Sequence, residues 1–474
     1  MGTLSALLNL SMNALKASQT AIDITANNVA NATTPGYTNE IAVWTEADTV
    51  SLGNGVQAGE GANVTAASQR NLVLNQQVNN QTQLETSSSA EGTALSTLQK
   101  IFGITTSSTT PASTTIGTDM NTFFSSLSTL ESTPASSQAR AAVLAAASTL
   151  ANDFNNASSS ITAQTTALNQ QVLGNVSEVN SLTSSIASLN AQISSISPGK
   201  DAGTLEDQRQ EDLTQLSKYI GFSQTKIENN GLELSTANGQ VLVSGSQSYA
   251  LTTATVSGNV DVITAGGTDI TSVLNGTKPG ITGGALGGVM KARDVDLPTI
   301  ATDLDSLAYA LGTAVNTQNV AGRDQNGVVG TAIFTLPTTS VGAASTISVT
   351  TTDPTKIAAA SMTEGSSGNT NATALSKLST TNLFGTQTAA QYYASMLTNL
   401  GNTVSGVSGE NTTQQASLTQ LTTEQSSYSS VSLDQEAANL SLYERSYDAA
   451  SKVFTIVDQL MASALNLGVQ TSVS

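Results

Sequence analysis

Apolar positions along the chain recur every seven residues in several long, widely separated stretches. Between Ile161 and Ile196 the positions Ile161, Thr165, Leu168, Val172, Asn175, Val179, Leu182, Ile186, Leu189, Ile193 and Ile196 step by alternating fours and threes, and nine of the eleven are apolar. That spacing predicts a long helix with a coiled-coil seam. Helix formers continue upstream from Ala135, and Pro198-Gly199 supplies a stop, so the helix should run from about residue 136 to 196. At 1.5 Å per residue it would be ~90 Å long.

The C-terminal stretch repeats the pattern with Leu433, Leu440, Tyr447, Phe454 and Met461 at strict sevens, joined by Tyr443, Ala450, Val457 and Ala464. A stripe of that length is buried only against a long partner. Met1, Leu8, Leu15, Ile22 and Val29 are also seven apart, so the two terminal helices are expected to pair. Another set runs through Leu297, Ile300, Leu304, Leu307, Leu311 and Ala314. A weaker one, with a polar middle, runs from Leu397 through Leu400, Val404, Val407, Asn411, Gln414, Leu418, Leu421 and Gln425 to Tyr428.

Residues 221–288 and 321–360 lose the helical period and become rich in Gly, Thr and Val. Leu232 and Leu234 alternate, Asn238-Gly239 predicts a type I′ turn, and Val241 and Val243 alternate again, which reads as a β-hairpin. Further strands are expected around Thr253–Thr264 and Ser345–Thr351, with turns at Asn275-Gly276 and Asn326-Gly327. The polar stretch Thr105–Thr118 predicts a loop or linker, since it has nothing with which to build a core.

Composition narrows the chemistry. The 474 residues carry a formal charge of −18, yet only 11 % are charged and 4 % aromatic, and both His and Cys are absent. Thiol nucleophiles, imidazole bases, Cys/His zinc sites and haem or iron-sulfur ligation are therefore excluded. An acidic chain with 16 Lys and Arg lacks the surface that nucleic-acid binding requires. The longest apolar run, Ala141–Ala147, falls far short of the ~20 residues of a membrane span, so no membrane partner is expected. The first fifteen residues contain no Lys or Arg and do not read as a cleaved signal peptide.

No Gly-x-Ser-x-Gly, Gly-Lys-Ser/Thr or Gly-x-Gly-x-x-Gly pattern occurs, so the reading is of a protein that is not an enzyme, with no cofactor and no metal. Gly280–Gly288 has no Lys beside a hydroxyl and predicts a turn in the β-rich region. Asp324-Gln325-Asn326-Gly327 lacks the later ligands of a calcium loop and predicts an Asx turn. Asp207, Arg209, Glu211 and Asp212 read as a solvated helix face.

Both ends of the chain carry recognisable signatures. Ala26-Asn27-Asn28-Val29-Ala30-Asn31 followed by Thr33-Thr34-Pro35-Gly36-Tyr37-Thr38 resembles the N-terminal signature of the axial proteins of the bacterial flagellum, the rod, hook and hook-associated proteins. Val431-Ser432-Leu433-Asp434-Gln435-Glu436-Ala437-Ala438-Asn439-Leu440, with Tyr443 and Ser446–Val453 after it, is similar to the C-terminal motif of the same family. Interior segments such as Ala139–Leu144, Glu178–Leu182, Asp207-Gln208-Arg209 and Gly283–Gly288 resemble the helical domain of its hook-filament junction members. One departure is Asn39-Glu40, where the family usually carries a basic and an amide residue.

The resemblance implies a mainly α, elongated, multi-domain protein with a β-rich insertion. Its terminal coiled-coil domain would comprise residues 1–67 and 426–474. A helical rod domain would take 68–220 with 289–320 and 366–425, and the β-rich domain 221–288 with 321–365. The assembly interface would include Leu8, Leu15, Ile22, Ala26, Asn27, Asn28, Val29, Asn31, Thr34, Pro35, Gly36 and Tyr37. Its C-terminal half would include Leu433, Ala437, Asn439, Leu440, Tyr443, Tyr447, Phe454, Val457 and Met461. Partners implied are copies of the chain in a ring, hook protein on one side, a second junction protein (hook-associated protein 3) on the other, and an export chaperone before secretion through the flagellar type III channel. A secreted coiled-coil adhesin or effector, or another axial protein such as a hook protein, would share the composition. The adhesin does not account for two agreeing terminal signatures.

Overall fold

The computed structural model of the protein describes residues 2–51, 57–103, 115–196, 201–271 and 280–470. Its spine is the helix that the periodicity predicts. Counting from the N-terminus, α1 is Gly2–Asn31, α2 Leu72–Ile101, α3 Thr115–Ser132 and α4 Ser137–Ile196, a single helix of 60 residues. Of the nine apolar seam residues, Ile161, Leu168, Val172, Val179, Ile186, Leu189 and Ile193 are buried, Leu182 is half-buried, and Ile196 at the helix end is exposed. No single long helix covers them. They are buried in turn by α3, by α5 (Thr204–Tyr219), by α6 (Gly284–Lys291), by α7 (Leu297–Val320), and by the strands that follow α5.

Those strands are β5 (Ser223–Lys226), β6 (Leu232–Ser235), β7 (Val241–Ser244) and β8 (Gln247–Ser248), antiparallel in sequence order, after which β9 (Thr252–Val256) pairs with β10 (Asn259–Ile263). The β6–β7 hairpin forms as expected, but not through a type I′ turn. Of Asn238 and Gly239 only Gly239 has positive φ, at 80°, and its N–H donates to Thr236 O at 2.8 Å. A type I′ turn needs positive φ at both central residues. Here a register shift at Leu234/Ser235 absorbs the strand twist instead, and it buries Leu234, Leu242 and Val243 together.

Polar residues on α4 hold the strands. Asn190 Nδ2 donates to Leu232 O and Gly245 O, Asn180 brackets Leu251 through its carbonyl and its N–H, and Asn169 accepts from Val260 N and donates to Gly258 O. Asn155 does the same for Ala344 O and Ile347 O farther along. A side-chain amide offers both donors and an acceptor, so each asparagine satisfies backbone groups that the seam would otherwise bury unpaired.

The remaining helices are α8 (Ala343–Thr346), α9 (Thr370–Lys377), α10 (Ala389–Ser429) and α11 (Leu433–Gln470). The polar middle of the Leu397–Tyr428 repeat has a partner in α2. Asn411 donates to Glu85 O, Gln81 to Gln414 O at 3.0 Å, and Gln425 to Asn75 Oδ1 at 2.8 Å. Of the expected strand at Ser345–Thr351 only Ser348-Val349 is extended, and Ala343–Thr346 is helical. Asp324 makes the expected Asx turn, accepting from Asn326 N and Val328 N. Gly284–Gly288 does not form a turn in the β-rich region; it begins α6, packed on α2. Residues 105–114, Pro198-Gly199 and Asn275-Gly276 lie outside the described residues, while 115–118 open α3 rather than continue a loop.

A carboxyl pair sits between α3 and α4. Burial, with a hydrogen bond and charge from Asp119, pushes Asp153 up from 3.8 to about 6. The folded chain therefore keeps a proton there that the unfolded chain loses near pH 4, and this pair lowers stability as pH rises from about 4 to 6. Asp153→Asn is expected to stabilise the protein at pH 7, by under about 1 kcal/mol because the pair is partly exposed, with a matching rise in melting temperature, and to change nothing at pH 4. Thermal unfolding of both proteins at the two pH values checks this; equal gains at both would reject it.

Candidate assembly site at the terminal helices

α1 and α11 pack against each other along their lengths, as the matching seven-residue repeats require. Between α1 and α2 the chain forms β1 (Glu40–Glu46), β2 (Thr49–Ser51), β3 (Gln57–Gly59) and β4 (Ala62–Ser68). β1 pairs with β4 and β2 with β3, and the β1–β4 ribbon lies on α1. Trp44 on β1 meets Tyr443 on α11, with ring centroids 6.1 Å apart.

The signature after α1 is a built turn. Pro35 and Gly36 are its central residues, Gly36 has φ of 78°, and Tyr37 N donates to Thr34 O at 3.2 Å, the requirements of a type II turn. Asn28, 1 % exposed, braces it. Its Oδ1 accepts from Tyr37 Oη at 2.8 Å and Glu40 N at 3.0 Å, while its Nδ2 donates to Glu40 O at 2.7 Å. Asn31 instead folds back on its own helix, donating to Asn27 O and Asn27 Oδ1. Burial and then the charges of Glu40, Asp207 and Glu436 push the Tyr37 hydroxyl well above its usual range, so it stays protonated and remains a donor. Asn28→Ala would strand a backbone N–H, a carbonyl and a phenol, at a cost of about 1–3 kcal/mol. Faster amide exchange confined to residues 28–40 is the expected result; unchanged exchange there would rule out the bracing role.

The predicted interface residues separate into two sets. Asn28 and Val457 are buried; Leu8, Leu15, Ile22, Asn31, Tyr37, Asn439, Leu440, Tyr443, Phe454 and Met461 are half-buried in or beside the helix pair. Ala26, Asn27, Val29, Thr34, Pro35, Gly36, Leu433, Ala437 and Tyr447 face outward. The most buried face of α1 is offset from the predicted stripe and is made mostly of small and polar residues, Ser11, Ala17, Ser18, Ala21 and Thr25, with Ile24 as its one large apolar side chain. Small side chains let a neighbouring backbone approach, a signal that apolar periodicity alone does not register. α11 also carries a second apolar stripe, Leu442, Val453, Ile456 and Leu460, exposed by 59, 45, 56 and 52 %. At 100° per residue these four lie within about 40° of one line, roughly 100° around the helix from the Tyr443–Ala450–Met461 seam.

Sequence reasoning missed the polar node behind the turn. Asp207 and Arg209 are not a solvated helix face: they are 9 % and 6 % exposed. Asp207 accepts from Thr38 N and Thr38 Oγ1, and Arg209 donates to Asn190 Oδ1 and Asn230 O. Burial, then the charges of Asp201 and Asp207, raise the Glu40 carboxyl, with Arg70 opposing. Among the described residues there is no group of three or more acidic side chains placed to hold a metal ion, and no helix long and apolar enough to cross a membrane.

Comparison with known proteins agrees with this geometry. Residues 105–334 match the family described as flagellar hook-associated protein FlgK helical domain. Residues 8–38 match flagella basal body rod protein, and 425–467 the flagellar basal body rod FlgEFG protein C-terminal family. Flagellar hook-associated protein 1 of Escherichia coli (strain K12) is 25 % identical over 98 % of this chain and 100 % of its own length. That of Bacillus subtilis (strain 168) is 26 % identical over 97 % of both. Among solved structures, the flagellar hook junction protein FlgK from Burkholderia pseudomallei superposes with a TM-score of 0.64 at 19 % identity, covering 75 % of this chain and all of that one. At that identity the superposition speaks for the fold.

Proposed function

Because the chain belongs to the flagellar hook-associated protein family, with a structural role at the junction of hook and filament, we propose that its copies form a ring in which the α1–α11 pair is the inner layer. Hook protein is the neighbour on one side and the second junction protein on the other. Before assembly the chain is held by an export chaperone and secreted through the flagellar channel, and it catalyses no reaction. The terminal pair with its β ribbon, residues 1–67 and 426–474, acts as the assembling domain; residues 68–220, 289–320 and 366–425 form the rod, and 221–288 with 321–365 the β-rich part.

The observation that carries this reading is the second stripe on α11. Leu442, Val453, Ile456 and Leu460 lie along one side of α11, the last three clustered within two turns, and the subunit leaves each of them about half exposed, on the same helix as the C-terminal signature. Soluble chains seldom leave such a stripe open unless another surface covers it. Many modest contacts repeated around a ring replace the aromatic anchors that a chain with 4 % aromatic residues lacks. Cryo-electron microscopy of isolated hooks incubated with the purified protein tests the reading. An ordered cap of subunits with α11 facing its neighbours is expected; bare hooks would overturn it and favour the adhesin alternative.

A further inference from the structure

The chain passes between the terminal helix pair and the helical body near residues 38–39, 68–71 and 429–431, and hydrogen bonds tie these crossings to one another. Asn39 N donates to Ser429 O at 2.9 Å and Gln69 N to Asn39 O at 2.8 Å. Little apolar surface is buried where α2 begins: Leu72 and Val73 are 50 % and 67 % exposed. Polar groups hold the place instead, and they converge on one cation. The Arg70 side chain is 7 % exposed, with Nη1 2.6 Å from Glu206 and 3.4 Å from Asp201, and Nη2 2.8 Å from Asp207. Nη2 also donates to Gly203 O at 3.1 Å.

We propose that Arg70 is the positioning residue of this joint, holding Asp207 so that its carboxylate grips Thr38 and fixes the direction in which the signature turn leaves the helical body. Both Asp207 oxygens are committed to Thr38, Oδ1 accepting from Oγ1 at 2.7 Å and Oδ2 from N at 3.0 Å. Asp201 grips a second crossing in the same way, accepting from Ser68 N. The planar guanidinium fork can face three carboxylates at once in fixed directions, which a lysine ammonium at the end of a flexible stem cannot do. The carboxylates come from one short stretch at the start of α5, so the rod's own helix dictates the exit angle. This inference concerns the single subunit and does not rest on the ring reading.

The chain has no cysteine, so spin labels can be placed at will. Lys16→Cys on α1 and Lys218→Cys on α5, both exposed, report the angle through the inter-label distance in the full-length monomer. A single narrow distance distribution is expected for the parent. Asp207→Ala, which leaves Arg70 paired with Glu206 and Asp201, should at least double its width and speed exchange of the Thr38 amide tenfold or more. Arg70→Met should broaden it as much, and Arg70→Lys should fall between. Amide exchange in α4 should not change for Asp207→Ala. A parental width in Asp207→Ala would overturn the proposal. So would broadening accompanied by an equal loss of protection in α4, because the node would then be holding the body together rather than setting the joint. Cap formation on hooks is a separate assay, so either inference can fail without the other.

Discussion

Leu460→Asp, alone or with Ile456→Asp, is expected to leave the monomer intact and to stop its incorporation at the hook tip. Both side chains are more than half exposed, at 52 % and 56 %, and substitutions at such positions change folding stability by about 0.5 kcal/mol or less. In an assembly that covers the stripe, burying the exposed half of each leucine or isoleucine contributes about 0.8–1.5 kcal/mol. A carboxylate in its place must also be desolvated without a partner. Every 1.4 kcal/mol is tenfold in affinity, so a loss of about 100-fold or more per interface is expected. Val457→Asp is the contrasting variant. Val457 is 1 % exposed in the seam facing α1, and an unpaired carboxylate there should separate α1 from α11 in the monomer itself, at a cost of about 3–5 kcal/mol. Amide exchange in α1 should therefore rise for Val457→Asp and stay unchanged for Leu460→Asp, while neither protein caps hooks. Normal capping by Leu460→Asp would show that the second stripe faces no neighbour.

That contrast also marks what the sequence could and could not disclose. Repeats of seven marked the second half of α4 and paired α1 with α11, because burial along a helix imprints a period whatever does the burying; the two ends of α4 came from the helix formers after Ala135 and from Pro198-Gly199. For the same reason the period did not reveal the partner. The stripe on α4 is covered piecewise by helices and strands, and Asn169, Asn180 and Asn190, each one residue past a stripe position, hold the strands beside it. Amides at such positions look like the ordinary polar flank of a helix until the strand carbonyls they hold are known. The signature turn was legible as Pro-Gly punctuation, but the bracing by Asn28 depends on Glu40 returning to it twelve residues later. Asp207 illustrates the limit most clearly. Four charged residues within six positions fit a wet surface, and only contacts with Thr38 and Arg70, 169 and 137 residues away, make Asp207 part of a joint.

Gly288→Ala is expected to be strongly damaging where α6 crosses α2. α6 crosses α2 so closely that a Cβ at Gly288 would lie 2.0 Å from Ser87 O and 2.9 Å from Glu91 N, both backbone atoms. Backbone in a helix cannot rotate aside as a side chain can, so the two helices would have to move apart by more than about 1 Å. Leu286, Val289 and Met290 are buried from the same short helix, and Lys291 Nζ is 2.8 Å from the Glu91 carboxylate, so separation would loosen both an apolar layer and an ion pair. Overpacking of this kind costs about 3 kcal/mol or more, which lowers the melting temperature by roughly 6–12 °C at about 2–4 °C per kcal/mol. Gly406→Ala, within α10, supplies the opposite expectation. Nothing lies within 4 Å of its would-be Cβ, and exchanging a helical glycine for alanine there should stabilise the protein by about 0.5–1 kcal/mol. Thermal unfolding of the two variants under one condition decides the matter. A Gly288→Ala protein that melts within about 2 °C of the parent would mean that α2 and α6 can part freely, and that the glycines of α6 serve some purpose other than close approach.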